Sequence, residues 1–178
     1  TKIIVKFIVF LYKYIYINMS FNTDCNTDNY ITNFDDWERI KEYIPKDKII
    51  WSPFYCDGKQ KEYFEKLGYN IIHEDKDFFT YEPEKYDIII DNPPFSKKKE
   101  VLERLKQLNK PFILICPSML LSYKYFQENY KNNIQILVPY TRIKFKHLEK
   151  TNKNYTPPFA SFYYCYQMNL KKDLFFLD

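Results

Sequence analysis

Glycine is scarce in this chain, which has only Gly58 and Gly68 among its 178 residues. Phosphate-binding loops of ATP- and NAD-dependent enzymes use several closely spaced glycines, because the backbone must turn tightly and approach the phosphates. Two isolated glycines cannot form such a loop. The sequence therefore excludes a Walker-type loop and a Gly-x-Gly-x-x-Gly site, and it gives no support to ATP or NAD as a cofactor.

Residues that bind metals are also few. The four cysteines form no Cys-x-x-Cys pair, and His73 and His147 are the only histidines. A zinc site is therefore not expected, and we assign no metal ligands. Cys116 and Cys165 lie within apolar runs, which predicts buried, reduced thiols and an intracellular protein, cytoplasmic or nuclear.

A long uncharged hydrophobic segment is missing as well. Residues 1–18 are apolar but contain Lys2, Lys6 and Lys13. These charges argue against a membrane-spanning helix, and the segment lacks the small-residue cleavage site of a secretory signal. We interpret residues 1–18 as an upstream or non-native segment, with a genuine N-terminal element as the alternative, and we expect residues 19–178 to form a single domain.

What the chain does contain is typical of a globular domain with a sizeable core. Hydrophobic residues make up 46% and charged residues 28% of the sequence, so the chain is not of the disordered class. The net charge of +4 permits a polyanionic partner without requiring one.

Apolar runs and amphipathic segments alternate along the chain. We predict helices over 34–44, 59–67, 97–108 (capped by Ser96) and 123–130, and strands over 48–51, 69–72, 88–90, 112–116, 134–138 and 160–168. Residues 20–33 and 146–156 are expected to be loops, and residues 142–145 either extend or follow the strand 134–138. Continuous apolar strands alternating with helices predict an α/β fold with a mostly parallel sheet.

The most informative stretch is residues 86–95. Ile88, Ile89 and Ile90 predict a strand buried on both faces, and the two prolines Pro93 and Pro94 end it abruptly. Ligands of open α/β sheets bind at the carboxyl ends of strands. The side-chain carbonyl of Asn92 and the main-chain carbonyl of Pro93 can accept the hydrogens of an amino group there, and Phe95 offers a flat face for a planar ring.

The tetrapeptide Asn92-Pro93-Pro94-Phe95 resembles the Asn/Asp-Pro-Pro-Tyr/Phe signature of S-adenosylmethionine-dependent amino methyltransferases, chiefly the N6-adenine group and its compact forms in phages and large DNA viruses. The resemblance implies a Rossmann-like methyltransferase fold, with helices on both faces of the sheet and a C-terminal antiparallel hairpin. It also implies S-adenosylmethionine as the cofactor and the N6 atom of adenine in DNA or RNA as the acceptor. The four residues of the tetrapeptide would be the catalytic ones.

Several alternatives to an N6-adenine enzyme remain open. The same signature occurs in enzymes that methylate guanine N2 or a glutamine amide. A cofactor-free methyltransferase-like scaffold or binding subunit is a different class, and an unrelated α/β protein with a chance tetrapeptide is a third.

Residues 52–58 resemble the cofactor loop of the same family, which usually reads Asp/Glu-Pro-Phe-x-Gly-x-Gly. Pro53, Phe54 and Gly58 match this pattern, whereas Ser52 replaces the acid and Cys56 replaces the first glycine. The matching residues are therefore candidate cofactor-binding residues. The two departures favour the cofactor-free alternative.

The remaining candidate cofactor residues follow the next predicted strand. An acid at the end of the second strand of such folds binds the ribose hydroxyls, and Glu74 or Asp75 is in that position. The resemblance implies that Asp77 and Phe78 contact the adenine of the cofactor and that Asn92 also lies against the cofactor. The alternative for Asp77 is a solvated loop residue, and we interpret His73 as a packed strand-end histidine.

The sequence shows no separate base-recognition domain. Target selection is therefore expected from the loops 96–99 and 141–156, from a protein partner, or from the structure of the substrate. The lysines 97–99, together with Arg142, Lys144, Lys146 and Lys150, are either contacts to a nucleic-acid backbone or ordinary solvated charges. No membrane association is expected.

Overall fold

The computed structural model describes residue 28 and residues 30–147, 154–155 and 159–178. The segment 1–18, Cys25 and Lys150 lie outside these residues. The strands are β1 (Tyr30–Thr32), β2 (Ile49–Trp51), β3 (Asn70–Ile72), β4 (Ile88–Asp91), β5 (Phe112–Pro117), β6 (Ile134–Pro139), β7 (Phe145–His147), β8 (Asn154–Tyr155), β9 (Ser161–Tyr166) and β10 (Leu174–Leu177). The α-helices are α1 (Phe34–Glu38), α2 (Gln60–Lys66), α3 (Lys98–Leu108) and α4 (Lys124–Tyr130), and short 3-10 helices cover Lys41–Tyr43, Phe95–Lys97 and Ser118–Ser122.

The central sheet has seven strands in the order β10-β6-β9-β5-β4-β2-β3. Strand β9 runs antiparallel to both of its neighbours, β5 and β6, and the other pairs are parallel. The predicted fold class is confirmed: the sheet is mostly parallel, and β6 and β9 form its antiparallel C-terminal pair.

Helices cover both faces of the sheet, as the isoleucine run predicts. Ile88 and Ile90 pack in one core cluster with Trp37 of α1 and Phe64 of α2. Ile89 points to the opposite face, where a second cluster includes side chains of α3 and α4. A strand that buries every residue therefore lies at the centre of the molecule, and its carboxyl end carries the Asn-Pro-Pro-Phe turn.

Strands β1, β7 and β8 form a second, three-stranded antiparallel sheet that was not predicted. Residues 30–32 were expected to lie in a loop, and 146–156 likewise, so these expectations are wrong where β1, β7 and β8 form. The short β10 was not predicted either.

Two helix predictions also need correction. The predicted helix 34–44 is α-helical only to Glu38 and becomes a 3-10 turn at Lys41–Tyr43, although Ile40 and Ile44 are buried as expected. Ser96 does not cap α3, because its hydroxyl donates to the carboxylate of Asp28 instead. By contrast, Gly68 follows the end of α2 in the left-handed conformation (φ 82°), which suits a glycine after a helix.

No helix within the described ranges is both long and apolar enough to cross a membrane.

Candidate active site

A cavity of about 190 Å³ lies where β2 and β4 end side by side. Its walls come from residues 54–57 after β2, from Gln60 and Tyr63 of α2, from β1, and from the turn after β4. This is the edge at which the sequence predicts a ligand, because neighbouring parallel strands bring the loops at their carboxyl ends together.

Asn92 lies on the wall of this cavity. Its side-chain oxygen Oδ1 is buried and has no hydrogen-bond partner among the residues that the structure describes. Buried polar atoms are almost always paired, because an unpaired acceptor loses its hydrogen bonds to water without replacement. An unpaired amide oxygen on a cavity wall therefore offers an acceptor for a ligand.

The other residues of the Asn-Pro-Pro-Phe turn have different surroundings. Pro93 is buried, and Pro94 lines the cavity with Asn92. Phe95 is half-buried, with its ring centroid 6.1 Å from that of Phe145 and 5.8 Å from that of Phe159. The second sheet thus packs against the aromatic residue of the turn, through Phe145 of β7.

Asp91, the last residue of β4, forms the floor of the site. Its carboxylate accepts hydrogen bonds from the main-chain N–H of Phe54 (2.7 Å) and of Asn92 (2.7 Å) and from the hydroxyl of Ser52 (2.9 Å). Burial raises the pKa of Asp91 to about 6, and these donors and the charge of His73 oppose the shift.

The loop after β2 has the backbone of a glycine-containing turn even where glycine is replaced. Cys56 has a positive φ of 49° and Gly58 a φ of 76°. Cys56 therefore adopts the left-handed conformation that favours glycine at the position where the cofactor-loop pattern has one. Cys56 is exposed as a residue, but partial burial of its sulfur, together with the charge of Asp57, raises the pKa of the thiol to about 11.

The side chain of Tyr55 folds back across this loop. Its ring stacks on His73 at a centroid distance of 5.1 Å and an interplanar angle of 26°. A Cβ atom on Gly58 would lie 2.8 Å from the Tyr55 hydroxyl oxygen, so Gly58 is the residue that makes room for this ring. Tyr55 therefore lies between the loop and the end of β3.

The residues predicted for the adenosine part of the cofactor do not line the cavity. Glu74 is exposed and accepts a hydrogen bond from the Tyr81 hydroxyl (2.7 Å). Asp77 is exposed and accepts from the N–H of Phe79 (3.1 Å) within its own turn. Phe78 is buried, and its ring centroid lies 5.0 Å from that of Phe54.

Of the predicted cofactor residues, only Phe54 and Asn92 reach the cavity wall. Pro53 is buried, and Gly58 lies against the Tyr55 ring. The structure thus brings together the Asn-Pro-Pro-Phe turn and the loop after β2, and it leaves Glu74, Asp75, Asp77 and Phe78 outside the cavity.

The basic residues near the site are mostly exposed. Lys97 and Lys99 are exposed next to the turn, and Lys98 donates to the main-chain carbonyl of Phe95 (3.0 Å). Arg142, Lys144 and Lys146 are exposed around β7, beside the second sheet.

The cavity suits the charged part of S-adenosylmethionine. Asp28, Asp57 and Asp91 are among its lining residues, and no lysine or arginine among the described residues lines it, although the Asp57 carboxylate pairs with the Lys59 ammonium at 3.2 Å. Carboxylates and aromatic faces are the groups that stabilise sulfonium and ammonium cations. The volume of about 190 Å³ is below the roughly 300–1,000 Å³ typical of pockets that enclose a whole drug-sized ligand. The acidic lining therefore fits the sulfonium and ammonium groups of the methionine end of the cofactor. Among the described residues it offers no cation to the carboxylate of that end, and the adenosine end would extend beyond the cavity.

The α/β fold of this chain is similar to those of two solved proteins. A solved dimethyladenosine transferase from Plasmodium falciparum is similar, with a TM-score of 0.50 and 14% sequence identity over 76% of this chain. A precorrin-6y C5,15-methyltransferase from Geobacter metallireducens aligns over 74% of this chain and 87% of its own, with 8% identity and a TM-score of 0.43. The chain spans 62% of the length of the Plasmodium protein. No protein-family model and no curated protein matches the sequence.

Sequence reasoning missed several residues of the site. Asp91 is not among the predicted site residues, although a carboxylate at the end of an all-isoleucine strand is itself an indication of a buried polar network. Gln60 and Tyr63 lie on the face of α2 that turns toward the cavity, and Tyr30 belongs to the unpredicted β1. No local pattern in the sequence would have placed β1 at this edge.

Proposed function

We propose that this chain is an S-adenosylmethionine-dependent methyltransferase that acts on an exocyclic amino group, and that the acceptor is N6 of adenine in DNA or RNA. The observation that carries the proposal is the buried, unpaired Oδ1 of Asn92 on the cavity wall. An amino group of the acceptor supplies the N–H donor that this oxygen lacks.

The residues of the turn hold and orient the acceptor. One amino hydrogen is donated to Oδ1 of Asn92 and the other to the main-chain carbonyl of Pro93, which directs the nitrogen lone pair away from both. Phe95 provides the ring against which the purine stacks. S-adenosylmethionine, when bound, supplies an electrophilic methyl group on a sulfonium. Alignment of the two reacting atoms is the main catalytic contribution of the protein, and a base within a duplex is flipped out before it is aligned.

Charge and fold both support this proposal. The three cavity carboxylates stabilise a cationic cofactor. The fold is shared with a protein described as a dimethyladenosine transferase, an enzyme named for adenosine methylation. The exposed lysines beside the turn and around β7 would contact a nucleic-acid backbone. A protein partner would add target selection, for which the described residues form no separate domain.

Transfer of labelled methyl from S-adenosylmethionine tests the proposal. The acceptors are single- and double-stranded DNA and RNA oligonucleotides containing adenine, with adenine-free, guanine-containing oligonucleotides and a glutamine-containing peptide measured beside them. We expect label in the adenine-containing oligonucleotides. We expect Asn92→Ala to lower the rate about 100-fold, because misalignment of the acceptor alone has effects of that order.

Asn70→Ala is the matched control, since Asn70 is exposed at the amino end of β3 and the turn lies at the carboxyl ends of these parallel strands. Asn70→Ala is expected to keep the wild-type rate. Full activity of Asn92→Ala, or label only in the guanine or glutamine acceptors, would contradict the adenine assignment.

A cofactor-free binding subunit is the second candidate. It is favoured by the Tyr55 ring stacked on His73 and by the positions of Glu74 and Asp77 outside the cavity. Calorimetric titration with S-adenosylmethionine and with S-adenosylhomocysteine separates the two candidates. Absence of binding heat and of any thermal shift with either compound would favour the subunit.

A further inference from the structure

A single buried carboxylate links the two segments that face each other across the cavity. Asp91 is 1% exposed, and each of its oxygens is engaged. Oδ2 accepts from the hydroxyl of Ser52 and the N–H of Phe54, and Oδ1 accepts from the N–H of Asn92. The first residues after β2 and the first residue of the catalytic turn are therefore held by the same group.

The hydrogen-bond network continues through Ser52 to the neighbouring elements. The hydroxyl of Ser52 accepts from the side-chain amide of Gln60 (2.9 Å), and that amide also donates to the main-chain carbonyl of Ile90 (3.2 Å). The main-chain carbonyl of Ser52 accepts from Nδ1 of His73 (2.8 Å). Both ends of the loop after β2 are thereby attached to β4, and the end of β3 is attached to the loop.

A buried carboxylate in this position carries a desolvation free energy that an apolar residue would not have. A buried carboxylate loses its hydration, and the hydrogen bonds that Asp91 accepts favour one arrangement of the segments that they join. The segments joined here are the ones whose relative placement decides where a methyl donor lies with respect to Asn92. Ser52 occupies the position of the acid in the cofactor-loop pattern, and in this chain the carboxylate comes from the adjacent strand instead.

We propose that Asp91 is a positioning residue for methyl transfer: its carboxylate fixes the loop at Phe54 and the turn at Asn92 in one relative arrangement. The inference depends on the proposed function for its catalytic consequence, but the mechanical link is a property of the chain alone. The change Asp91→Asn tests it, because an amide keeps the volume and offers only one acceptor oxygen to the three donors.

Asp36→Asn is the matched control, since Asp36 is a similarly buried carboxyl (5% exposed) in α1, paired with Arg39 and away from the cavity. Three measurements are made on the wild type and both variants: amide hydrogen exchange, KM and kcat for methyl transfer, and the pH profile of kcat. Thermal unfolding establishes that each variant is folded.

In Asp91→Asn we expect exchange at the Phe54 and Asn92 amides to be at least about tenfold faster, with unchanged exchange in the central strand β5. We expect kcat to fall about 10- to 100-fold with a smaller change in KM, because the acceptor is still bound but misaligned. Asp36→Asn leaves all three quantities at their wild-type values.

The pH profile adds a readout that a purely structural role would not change. Deprotonation of Asp91 restores its acceptors, so wild-type kcat is expected to rise with pH through about 6, and this rise is absent in Asp91→Asn. The titratable groups facing Asp91 are His73 at the end of β3 and Cys56 in the loop. The variant His73→Gln keeps a donor for the Ser52 carbonyl without titrating, and it is expected to keep the rise.

Wild-type kcat in a folded Asp91→Asn variant, or unchanged exchange at the Phe54 and Asn92 amides, would overturn the inference and leave the proposed function standing. If Asp91→Asn does not fold, the variant Ser52→Ala is used instead, because it removes one donor to the Asp91 carboxylate. Ser52→Ala is expected to lower kcat about tenfold. A decrease in kcat no larger than that in Asp36→Asn would count against the inference. A wild-type chain that neither binds S-adenosylmethionine nor transfers methyl refutes the proposed function and the catalytic role of Asp91 together, and amide exchange still decides whether the link exists.

Discussion

The two glycines of the chain allow the packing of Tyr55 to be measured separately from backbone strain. Both have φ values in the left-handed region, 76° at Gly58 and 82° at Gly68. An alanine at either position is strained, at a cost of roughly 1–2 kcal/mol. The surroundings differ: a Cβ on Gly68 meets only the Lys46 ammonium at 3.8 Å, whereas a Cβ on Gly58 lies 2.8 Å from the Tyr55 hydroxyl oxygen and 3.0 Å from the ring carbon that bears it.

The Tyr55 ring must therefore move in Gly58→Ala and lose its stacking on His73. Aromatic pairs are worth about 0.5–1.5 kcal/mol beyond their buried area, so Gly58→Ala is expected to cost about 1.5–3.5 kcal/mol in total and Gly68→Ala about 1–2 kcal/mol. Urea denaturation measures both values. Gly58→Ala is also made in a chain that already carries Tyr55→Ala. There it should lower the free energy of unfolding by no more than Gly68→Ala does, because the clash with the Tyr55 ring is removed.

The same pair of variants reports on the cavity. Residues 54–57 form one of its walls, so displacement of Tyr55 in Gly58→Ala is expected to change the affinity for S-adenosylmethionine, whereas Gly68→Ala leaves it unchanged. Equal stability losses for the two single variants would refute the reasoning about this loop. So would an excess loss of Gly58→Ala over Gly68→Ala that persists after Tyr55 is truncated.

Three further predictions concern the core and the thiols. Tyr163→Phe removes a buried hydroxyl that donates to the main-chain carbonyl of Asp36 (2.6 Å), and urea denaturation should show a loss of about 1–3 kcal/mol; a loss near zero would contradict the buried contact. Burial raises the pKa of Asp36 to about 6 against the opposing charge of Arg39, so the folded state binds more protons than the unfolded state between about pH 4 and 6. Stability therefore falls as pH rises through that window and is level above it, and the fall should be smaller in Asp36→Asn; identical pH profiles would exclude this role of Asp36. Because the pKa of Cys56 is raised to about 11, alkylation of this thiol at pH 8 in a Cys25→Ser chain should be about tenfold slower than that of a free cysteine, and an equal rate would show that the thiolate is not disfavoured.

The central sheet could be predicted because its strands carry their own evidence. Ile88, Ile89 and Ile90 are apolar on both faces, and Pro93 cannot continue a strand, so both the burial of β4 and its sharp end follow from local chemistry. The Asn-Pro-Pro-Phe turn could be placed at the ligand-binding edge for the same reason.

The second sheet could not be predicted, because its strands are short and partly polar. Tyr30–Thr32 becomes a strand by pairing with Phe145–His147, more than a hundred residues away in the sequence, and a three-residue segment has no periodicity of its own. The surroundings of Phe78 could not be predicted for a related reason. Phe78 looks like a ligand contact in a linear motif, but its ring finds an apolar environment next to Phe54 and is buried.

The partners of Asp91 lie beyond sequence reasoning as well. The residue adjoins Asn92 in the chain, but its contacts to Ser52 and Phe54 depend on β2 and β4 lying side by side in register. Whether two strand ends can form a hydrogen bond depends on the order of the strands in the sheet. That order cannot be inferred from the residue at either strand end alone.

The position of β9 has a consequence for how the chain is made on the ribosome. Strand β9 comes after β6 in the sequence but lies between β5 and β6 in the sheet. Until residues 161–166 have emerged from the exit tunnel, β5 has an open edge and β6 has no neighbour to connect it to the rest of the sheet. A nascent chain stalled before this point exposes the apolar strand Phe112–Pro117, which makes it a client for chaperones, and assembly of the sheet is completed only late in translation.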